Sequence, residues 1–260
     1  MTRMLIIPSA GAGSRLGMPG PKVLAHVAGR PMLDHLLDLY RDAIERFVVI
    51  ASPQGLALVT AHVRGRTEHV ELAVQQEPTG MLDAILLAAS HVERHQPDRV
   101  WITWCDQVAV SRATVARLID AEAAPPEPSL ALPTCSGPDP YIHFDRDASG
   151  RIVAVRQRRE GDAMPPAGES DMGLFSLSRS AYLHDLREFA RAAAPGRATR
   201  ERNFLPFIPT LATSRRVASF ACAEPIEAVG INTPEELRRV EAHLRAVAGQ
   251  DRAPGGGTAS

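Results

Sequence analysis

The chain has 260 residues, with 29 Lys+Arg and 30 Asp+Glu, and its formal net charge of −1 argues against binding of nucleic acid over a broad basic surface. Hydrophobic residues make up 45% of the chain and charged residues 23%, as in an ordinary globular domain, and no apolar run approaches the roughly 18 residues of a membrane span. The three cysteines, Cys105, Cys135 and Cys222, show no CxxC spacing, so we expect reduced thiols, no structural zinc site and a cytoplasmic protein.

Strand-like and helical segments alternate along the first half of the chain. The apolar run at residues 4–8, too short for the roughly 7 to 15 residues of a signal-peptide core, predicts a buried strand followed by a tight glycine-rich loop. This alternation predicts an α/β fold with a Rossmann-like, mostly parallel sheet flanked by helices, and ligands at the carboxyl ends of the strands. Further strands are predicted at residues 47–51, 70–74, 100–104 and 130–133, and helices at residues 31–43, 81–92 and 112–123.

The pattern changes after residue 133. Residues 141–145 alternate, residues 147–150 have turn chemistry and residues 151–155 are apolar, which predicts a β-hairpin in a second, smaller lobe. The charged, proline-rich residues 158–168 are interpreted as a mobile loop. Later elements are predicted as strands at residues 172–177 and 216–221, a helix at residues 181–193, and a last helix that Thr233, Pro234 and Glu236 begin and Gly249 ends.

The glycine-rich loop after the first strand contains the only lysine of the chain. Its sequence, GAGSRLGMPGPK at residues 11–22, lacks the third glycine of a dinucleotide fingerprint and the Gly-Lys pair of a Walker A loop. Glycines let backbone N–H groups approach an anion, and Arg15 offers a forked donor for phosphate oxygens. Lys22 adds a compact ammonium that an arginine does not reproduce. The loop therefore predicts phosphate binding and argues against a dinucleotide-dependent oxidoreductase.

This loop, GxGxRLG followed by Pro21-Lys22, resembles the signature of the nucleoside-triphosphate-transferase superfamily. The superfamily includes the sugar-1-phosphate nucleotidylyltransferases, among them N-acetylglucosamine-1-phosphate uridylyltransferase. The resemblance implies that the loop wraps a triphosphate and that Arg15 and Lys22 are catalytic residues that neutralise it. It also implies that the nucleotide is bound by Ala10, Gly11, Ala12 and Gly13.

Residues 74–80, VQQEPTG, resemble the base-binding stretch of the same superfamily. The resemblance implies that Gln75 and Gly80 read a pyrimidine ring. An amide side chain can both donate and accept, so it suits the edge of uracil or cytosine without choosing between them. Met81 stands where the family usually has threonine, and the sequence leaves UTP and CTP open.

Two oxygen-bearing residues are candidates for a metal site. Asp106 follows the strand-like residues 101–104, at the end of a strand where α/β folds keep their chemistry. The resemblance implies that Asp106 and Asn232, which follows the last strand, bind Mg2+. Magnesium typically takes one or two protein oxygens, with phosphate and water completing its shell. The alternatives are a helix-capping role for Asp106 and a turn role for Asn232.

The acceptor side departs from the sugar-binding members of the superfamily. Where those carry a glutamate after the hairpin and an asparagine before the next strand, this chain has Arg156 and Asp171. We therefore predict a different phosphorylated acceptor, with Arg156, Arg158 and Arg159 on an anionic group and Asp171 on a hydroxyl or an amine. The alternative is that these are solvated charges on a mobile flap. Residues 200–206 are interpreted as a lid or a dimer contact, which leaves a homodimer open.

Together these features predict a Mg2+-dependent nucleotidylyltransferase that transfers NMP from UTP or CTP to a small phosphorylated acceptor such as a sugar phosphate, with release of pyrophosphate. A phosphate monoester is already anionic at neutral pH, so no general base is required. The alternatives are a cytidylyltransferase for a phosphorylated amino-alcohol or phosphonate, a guanylyltransferase of cofactor biosynthesis, and a catalytically silent nucleotide-binding protein. No nucleic-acid or membrane partner is expected.

The chain is predicted to form one nucleotidylyltransferase domain over residues 1–249. Residues 1–133 are predicted to bind the NTP, residues 134–215 to form the acceptor lobe, and residues 216–249 to supply a closing strand and helix. Residues 250–260 have no apolar content to fold around, so a disordered tail is expected there.

Overall fold

The computed structural model describes residues 1–11, 17 and 20–250. The predicted disordered tail, apart from Gln250, which ends the last helix, and the loop residues 12–16, 18 and 19 therefore lie outside the described residues. The strands are β1 (Arg3–Pro8), β2 (His26–Val27), β3 (Arg30–Pro31), β4 (Arg46–Ala51), β5 (Val70–Val74), β6 (Arg99–Thr103), β7 (Leu130–Pro138), β8 (Ile142–Arg146), β9 (Ile152–Gln157), β10 (Ala167–Asp171), β11 (Leu174–Ser178) and β12 (Val217–Ala221). The helices are α1 (Met32–Tyr40), α2 (Pro53–Val63), α3 (Met81–Leu86), α4 (Ala89–His95), α5 (Arg112–Ala123), α6 (Leu186–Ala192), α7 (Phe207–Ala212) and α8 (Pro234–Gln250).

The main sheet has the strand order β10-β7-β11-β6-β1-β4-β5, with β12 paired to β7. Strands β6, β1, β4 and β5 run parallel to one another, and β12 runs parallel to β7. Strand β11 is antiparallel to both β6 and β7, and β10 is antiparallel to β7. The predicted α/β fold with a mostly parallel sheet is confirmed.

The central strands are buried on both faces. In β1, Met4 and Ile6 belong to one apolar cluster, while Leu5 and Ile7 belong to the cluster on the opposite face. All four side chains are at most 1% exposed. Parallel strands covered by helices on both faces require such continuous apolar runs. The apolar runs alone were therefore sufficient to locate these strands in the sequence.

Strands β8 and β9 form the predicted hairpin as a separate two-stranded sheet. Phe144 and Ile152 pack their side chains into one of the two core clusters, so the hairpin is fastened to the main sheet by apolar contacts. The segment at residues 158–168 was predicted to be a mobile loop, but the structure shows a 3-10 turn at Arg158–Glu160 and then strand β10, paired with β7. The buried Glu160 carboxylate, described below, holds this turn.

Several helices differ from the prediction, among them α7, for which no helix was predicted. The helix predicted at residues 81–92 is divided into α3 and α4, which are separated at Leu87 and Ala88. Helix α2 was not predicted at all. It begins with Ser52, whose side chain accepts a hydrogen bond from Gly55 N, and with proline at its first position. Among the described residues no helix combines the length and apolar character that crossing a membrane requires.

Candidate active site

A cavity lies at the carboxyl ends of the parallel strands. Its volume is about 450 Å3, and three successive strand ends contribute to its wall. Such a position is where open α/β sheets bind their ligands. The lining residues are Ala10 and Gly11 after β1, Gly20 and Pro21 in the following loop, residues 52–55 after β4, and Gln75, Gln76 and Pro78 after β5.

Lys22 joins two of the predicted site residues. Its Nζ donates hydrogen bonds to Asp106 Oδ2 at 2.5 Å and to Asn232 Oδ1 at 2.8 Å. The side chains of Lys22 and Asp106 are 12% and 13% exposed, so the ion pair is largely withdrawn from solvent. The structure thus brings together three residues that are far apart in the sequence, and the oxygens of Asp106 and Asn232 converge on one positive charge.

The backbone around Asp106 and Asn232 explains this convergence. Ile231 N donates to Asp106 O at 3.3 Å, which joins the end of β6 to the segment that precedes α8. A Cβ at Gly230 would lie 3.3 Å from Asp106 Oδ2, so the glycine permits close approach of the carboxylate.

The capping box of α8 then fixes Asn232. Asn232 N donates to Glu236 Oε2 at 2.8 Å, while Glu236 N donates to Thr233 Oγ1 at 3.3 Å. The helix start that the sequence predicted therefore also sets the position of a candidate site residue.

Gln75 and Gly80 are in direct contact. Gln75 is 8% exposed, and its Nε2 donates to Gly80 O at 3.1 Å, which orients the amide at the edge of the cavity. Gly80 has φ +127, and a Cβ on it would lie 2.4 Å from Arg202 N. Only glycine allows both this backbone conformation and this close packing.

Asp171 lies beside the end of β6. Gly173 N donates to Asp171 Oδ2 at 2.9 Å, and a Cβ at Gly173 would lie 2.2 Å from Trp104 Cδ1. Burial raises the pKa of Asp171 to about 6, and hydrogen bonds from Gly173 and Trp104 offset this only partly. Trp104 precedes Asp106 by two residues, so Asp171 belongs to the same neighbourhood as the Lys22 cluster.

The predicted arginine clamp is engaged in contacts within the chain. Arg156 Nε donates to Asp145 Oδ2 at 2.8 Å, and this hydrogen bond and the charge of Asp145 raise the pKa of the guanidinium. Arg158 pairs with Asp139. Arg159 Nη1 pairs with Glu201 Oε2 at 3.1 Å. An anionic acceptor would have to compete with these carboxylates, and among the described residues no hydrogen bond or ion pair joins Arg156 to Asp171.

Three of the predicted site residues lie outside the described residues, and several residues that line the cavity were not predicted. Ala12, Gly13 and Arg15 lie outside the described residues, whereas Ala10 and Gly11 line the cavity. Residues 52–55 were not predicted as part of the site, although Ser52-Pro53 after a strand is a helix-start signal that marks them. A Cβ at Gly55 would lie 3.1 Å from Pro21 Cβ, so α2 packs against the residue before Lys22.

Cys105 and the other titratable groups of the described residues do not suggest a second catalytic or metal-binding centre. Burial, and then the charge of Asp106, raise the pKa of Cys105 to about 12, so it stays a neutral thiol. Within the part of the chain that the structure describes, no group of three or more His, Cys, Asp or Glu side chains is arranged to hold a metal ion. A site built on one aspartate and one asparagine is smaller than such a group.

Comparison with known proteins defines the class to which this fold and site belong. The model of the MobA-like NTP transferase domain matches residues 5–200, and the chain belongs to that family. The match includes the glycine-rich loop, Gln75, Gly80 and Asp106, whereas Asn232 lies beyond it. The resemblance inferred from the glycine-rich loop is thereby confirmed.

Curated relatives agree with this assignment. The chain is 26% identical over 248 residues to the "Bifunctional protein GlmU" of Stutzerimonas stutzeri, in an alignment that covers 94% of this chain and 52% of that protein. It is 34% identical over 158 residues to the protein of the same name from Cupriavidus necator, covering 60% of this chain and 33% of that protein. The chain thus spans about half the length of the first of these relatives. The structure of HddC from Yersinia pseudotuberculosis shares the fold, with a TM-score of 0.67 and 17% identity over 94% of this chain and 100% of that chain.

Proposed function

We propose that this protein is a nucleotidylyltransferase that transfers NMP from a pyrimidine NTP to a small phosphorylated acceptor and releases pyrophosphate. The observation that carries the proposal is the convergence of Asp106 Oδ2 and Asn232 Oδ1 on Lys22 Nζ, at 2.5 and 2.8 Å, in a chain of the NTP transferase family. Pro21, which immediately precedes Lys22, lines the cavity at the carboxyl ends of the parallel strands, and Asp106 follows the end of β6 at the same edge of the sheet. Membership of the family supports the general activity.

The donor set of the cluster fits a magnesium ion. A carboxylate oxygen and an amide oxygen are hard ligands of the kind that Mg2+ prefers, and both already converge on a single cation, the Lys22 ammonium. We assign Asp106 and Asn232 as the residues that would hold the ion. When bound, Mg2+ would supply charge neutralisation on the phosphate oxygens.

The protein residues act by positioning and by charge. An oxygen of the acceptor phosphate attacks the α-phosphorus of the NTP, a new P–O bond forms, and the bond to the β-phosphate breaks so that pyrophosphate leaves with the electron pair. Lys22 offers its ammonium to the phosphate oxygens during this exchange, and Arg15 adds a second positive charge. Because reactions of this kind depend on alignment and electrostatics, no nucleophilic side chain is needed.

Gln75 and Gly80 are proposed to read the base. The bond from Gln75 Nε2 to Gly80 O, at 3.1 Å, fixes the amide plane at the cavity edge. Uracil and cytosine each present at least one donor to an amide oxygen, so UTP and CTP are both retained. Thermal shifts with each of the four NTPs in the presence of Mg2+ distinguish them, and a response to a purine nucleotide alone would contradict the assignment.

Asp171 favours an acceptor with a hydrogen-bond donor opposite its phosphate. Its carboxylate is partly buried, and its pKa is raised to about 6 by that burial, so a hydroxyl or an ammonium placed against it would relieve the cost of its charge. This observation supports the second candidate, a cytidylyltransferase for a phosphorylated amino-alcohol or phosphonate, beside a sugar phosphate. We assign residues 1–133 to the nucleotide, residues 134–215 to the acceptor and residues 216–249 to closure of the site.

The experiment that tests the proposal is a pyrophosphate-release screen. It crosses the four NTPs with phosphorylated sugars, polyols, amino-alcohols and phosphonates, all with Mg2+. Lys22→Ala and Asp106→Ala should each abolish release in a protein that still folds, as judged by circular dichroism. Nucleotide binding without turnover in any combination would instead support a catalytically silent nucleotide-binding protein.

A further inference from the structure

One segment of the acceptor lobe contacts both residues 79–82, called the nucleotide loop below, and the turn at Arg158–Glu160. Residues 196–203, called the strap below, lie between α6 and α7. Arg202 N donates to Thr79 O at 2.8 Å, and Leu82 N donates to Arg202 O at 3.0 Å, so the strap pairs through its backbone with the loop that contains Gly80. The Cβ that Gly80 lacks would lie 2.4 Å from Arg202 N, which makes this contact as tight as glycine permits.

The other side of the strap is bonded to Glu160, in the turn that follows the hairpin. The Glu160 carboxylate accepts hydrogen bonds from Ala198 N at 2.9 Å, Thr199 Oγ1 at 2.5 Å and Asn203 Nδ2 at 3.0 Å. Glu160 is 8% exposed. Burial alone would raise its pKa, but the bonds from Thr199, Ala198 and Asn203 outweigh that effect and lower the pKa to about 2.

These contacts form a short, continuous connection between the residues proposed to bind the nucleotide base and the turn that follows the hairpin of the acceptor lobe. The strap residues that bond to Glu160 include Asn203, which is adjacent in the chain to Arg202, the residue paired with the nucleotide loop. Arg202 is further held by its guanidinium, which contacts the Asp83 carboxylate on α3. From Gly80 the connection reaches Gln75 through the amide bond described above. A displacement of the turn at Glu160 would therefore be transmitted through the strap to Gly80 and Gln75, because few residues lie between them.

We propose that Glu160 is a positioning residue for the nucleotide loop, and that through the strap it fixes the position of Gly80 and Gln75 relative to the acceptor lobe. The inference rests on the proposed function, since it takes Gln75 and Gly80 to bind the base. Its consequence is that nucleotide and acceptor bind cooperatively, with each raising the affinity for the other by the same factor, about 5- to 150-fold for couplings of ordinary size.

The decisive test uses the ligand-free protein and hydrogen–deuterium exchange. Glu160→Gln keeps the size of the side chain and removes its charge, and we expect the amides of Leu82 and Arg202 to exchange at least about tenfold faster than in the wild type. The control is Glu93→Gln, which breaks the exposed pair with Arg187 at 2.6 Å and should leave both amides unchanged. If exchange rises at Ala198 and Thr199 while Leu82 stays at its wild-type rate, the proposal is overturned.

A milder variant covers the case in which Glu160→Gln does not fold. Thr199→Val removes one donor to Glu160 and keeps the side-chain shape, and about a threefold faster exchange at Leu82 and Arg202 is expected. An unchanged rate at both amides in this variant would contradict the coupling.

A second set of exchange measurements, made with nucleotide present, separates this inference from the proposed function. Addition of UTP or CTP with Mg2+ should protect the amides of residues 75–82 in the wild type, and that protection should extend to Glu160 only when the strap is intact. Absence of protection with every NTP would contradict the proposed function, while the ligand-free comparison still decides the coupling. In the active enzyme, Glu160→Gln should raise the KM for the NTP about tenfold with a smaller change in kcat, because the residue does not touch the reacting atoms.

Discussion

The contact between Lys22 and the predicted metal ligands leads to a prediction about stability. Lys22→Met keeps the length of the side chain and removes the ammonium that Asp106 and Asn232 share. At the observed 2.5 Å the gross attraction between Lys22 and Asp106 is about 7 kcal/mol for an effective dielectric constant of about 20. Desolvation cancels much of this, and loss of one partner from a largely buried pair costs about 3 kcal/mol. We expect the variant to be destabilised by about that amount.

Magnesium should recover part of this loss. In the wild type the ion must displace the Lys22 ammonium from Asp106 and Asn232, whereas in Lys22→Met the two oxygens hold no competing cation. At ten times its Kd, the ion would stabilise the variant by about 1.4 kcal/mol. The measurement is urea unfolding followed by tryptophan fluorescence, with and without Mg2+. The double variant Lys22→Met/Asp106→Asn is the control and should lose the response to Mg2+. A variant as stable as the wild type, or one that responds to Mg2+ no more than the wild type, would refute the reasoning.

Three further predictions concern Lys22, Gly80 and Asp171. Lys22→Arg should lower kcat/KM for pyrophosphate release at least about tenfold with little change in Tm, because the charge is kept but spread over a planar fork; an unchanged rate would show that the ammonium is not required. Gly80→Ala should cost about 1 to 3 kcal/mol and raise the KM for the NTP, because φ is +127 and the new Cβ would lie 2.4 Å from Arg202 N, whereas Gly137→Ala meets nothing within 4 Å and should behave as the wild type in thermal unfolding. Burial raises the pKa of Asp171 from 3.8 to about 6, so the protonated form is favoured by folding and the wild type loses stability as the pH rises through that interval. Asp171→Asn should therefore be more stable than the wild type by up to about 3 kcal/mol at pH 8 and equal to it near pH 4 in urea unfolding, and an equal difference at both pH values would contradict the assignment.

The sequence was sufficient where local pattern and sheet geometry determine the outcome. Strand β5 has the bounds that were predicted, β1 and β4 differ from the prediction by one residue at one end, and β6 differs by one residue at both ends. For β1, β4 and β6 the reason is that strands buried on both faces must be almost continuously apolar. The meeting of Asp106 with Lys22 follows from the parallel arrangement, which collects the carboxyl ends of the strands at one edge. These parts of the fold and the site need no knowledge of distant contacts.

The sequence was insufficient where a segment is held by residues far away in the chain. Residues 158–168 have the charge and proline content of a mobile loop, yet Glu160 is fixed by donors 38 and 43 positions further on, at Ala198 and Asn203. No local pattern reveals such partners. The missed helix α2 has a different cause, since Gly55 lowers its helical propensity, while the cap at Ser52, the proline at its first position and packing of Gly55 against Pro21 compensate.

The structure also gives a physical reason why the only lysine of the chain lies at position 22. Its Nζ bonds to oxygens on residues 84 and 210 positions away, at 2.5 and 2.8 Å, so two distant segments converge on one nitrogen atom. An ammonium directs three donors from a single atom, which serves both oxygens and leaves a third donor for a phosphate. A guanidinium spreads its donors over three nitrogens in a plane and would hold Asp106 and Asn232 further apart. The ends of β6 and of the segment before α8 are tied by the bond from Ile231 N to Asp106 O, at 3.3 Å, and have little freedom to separate. Position 22 therefore requires a point charge, and the requirement arises from the spacing of two backbone segments rather than from the need for positive charge alone.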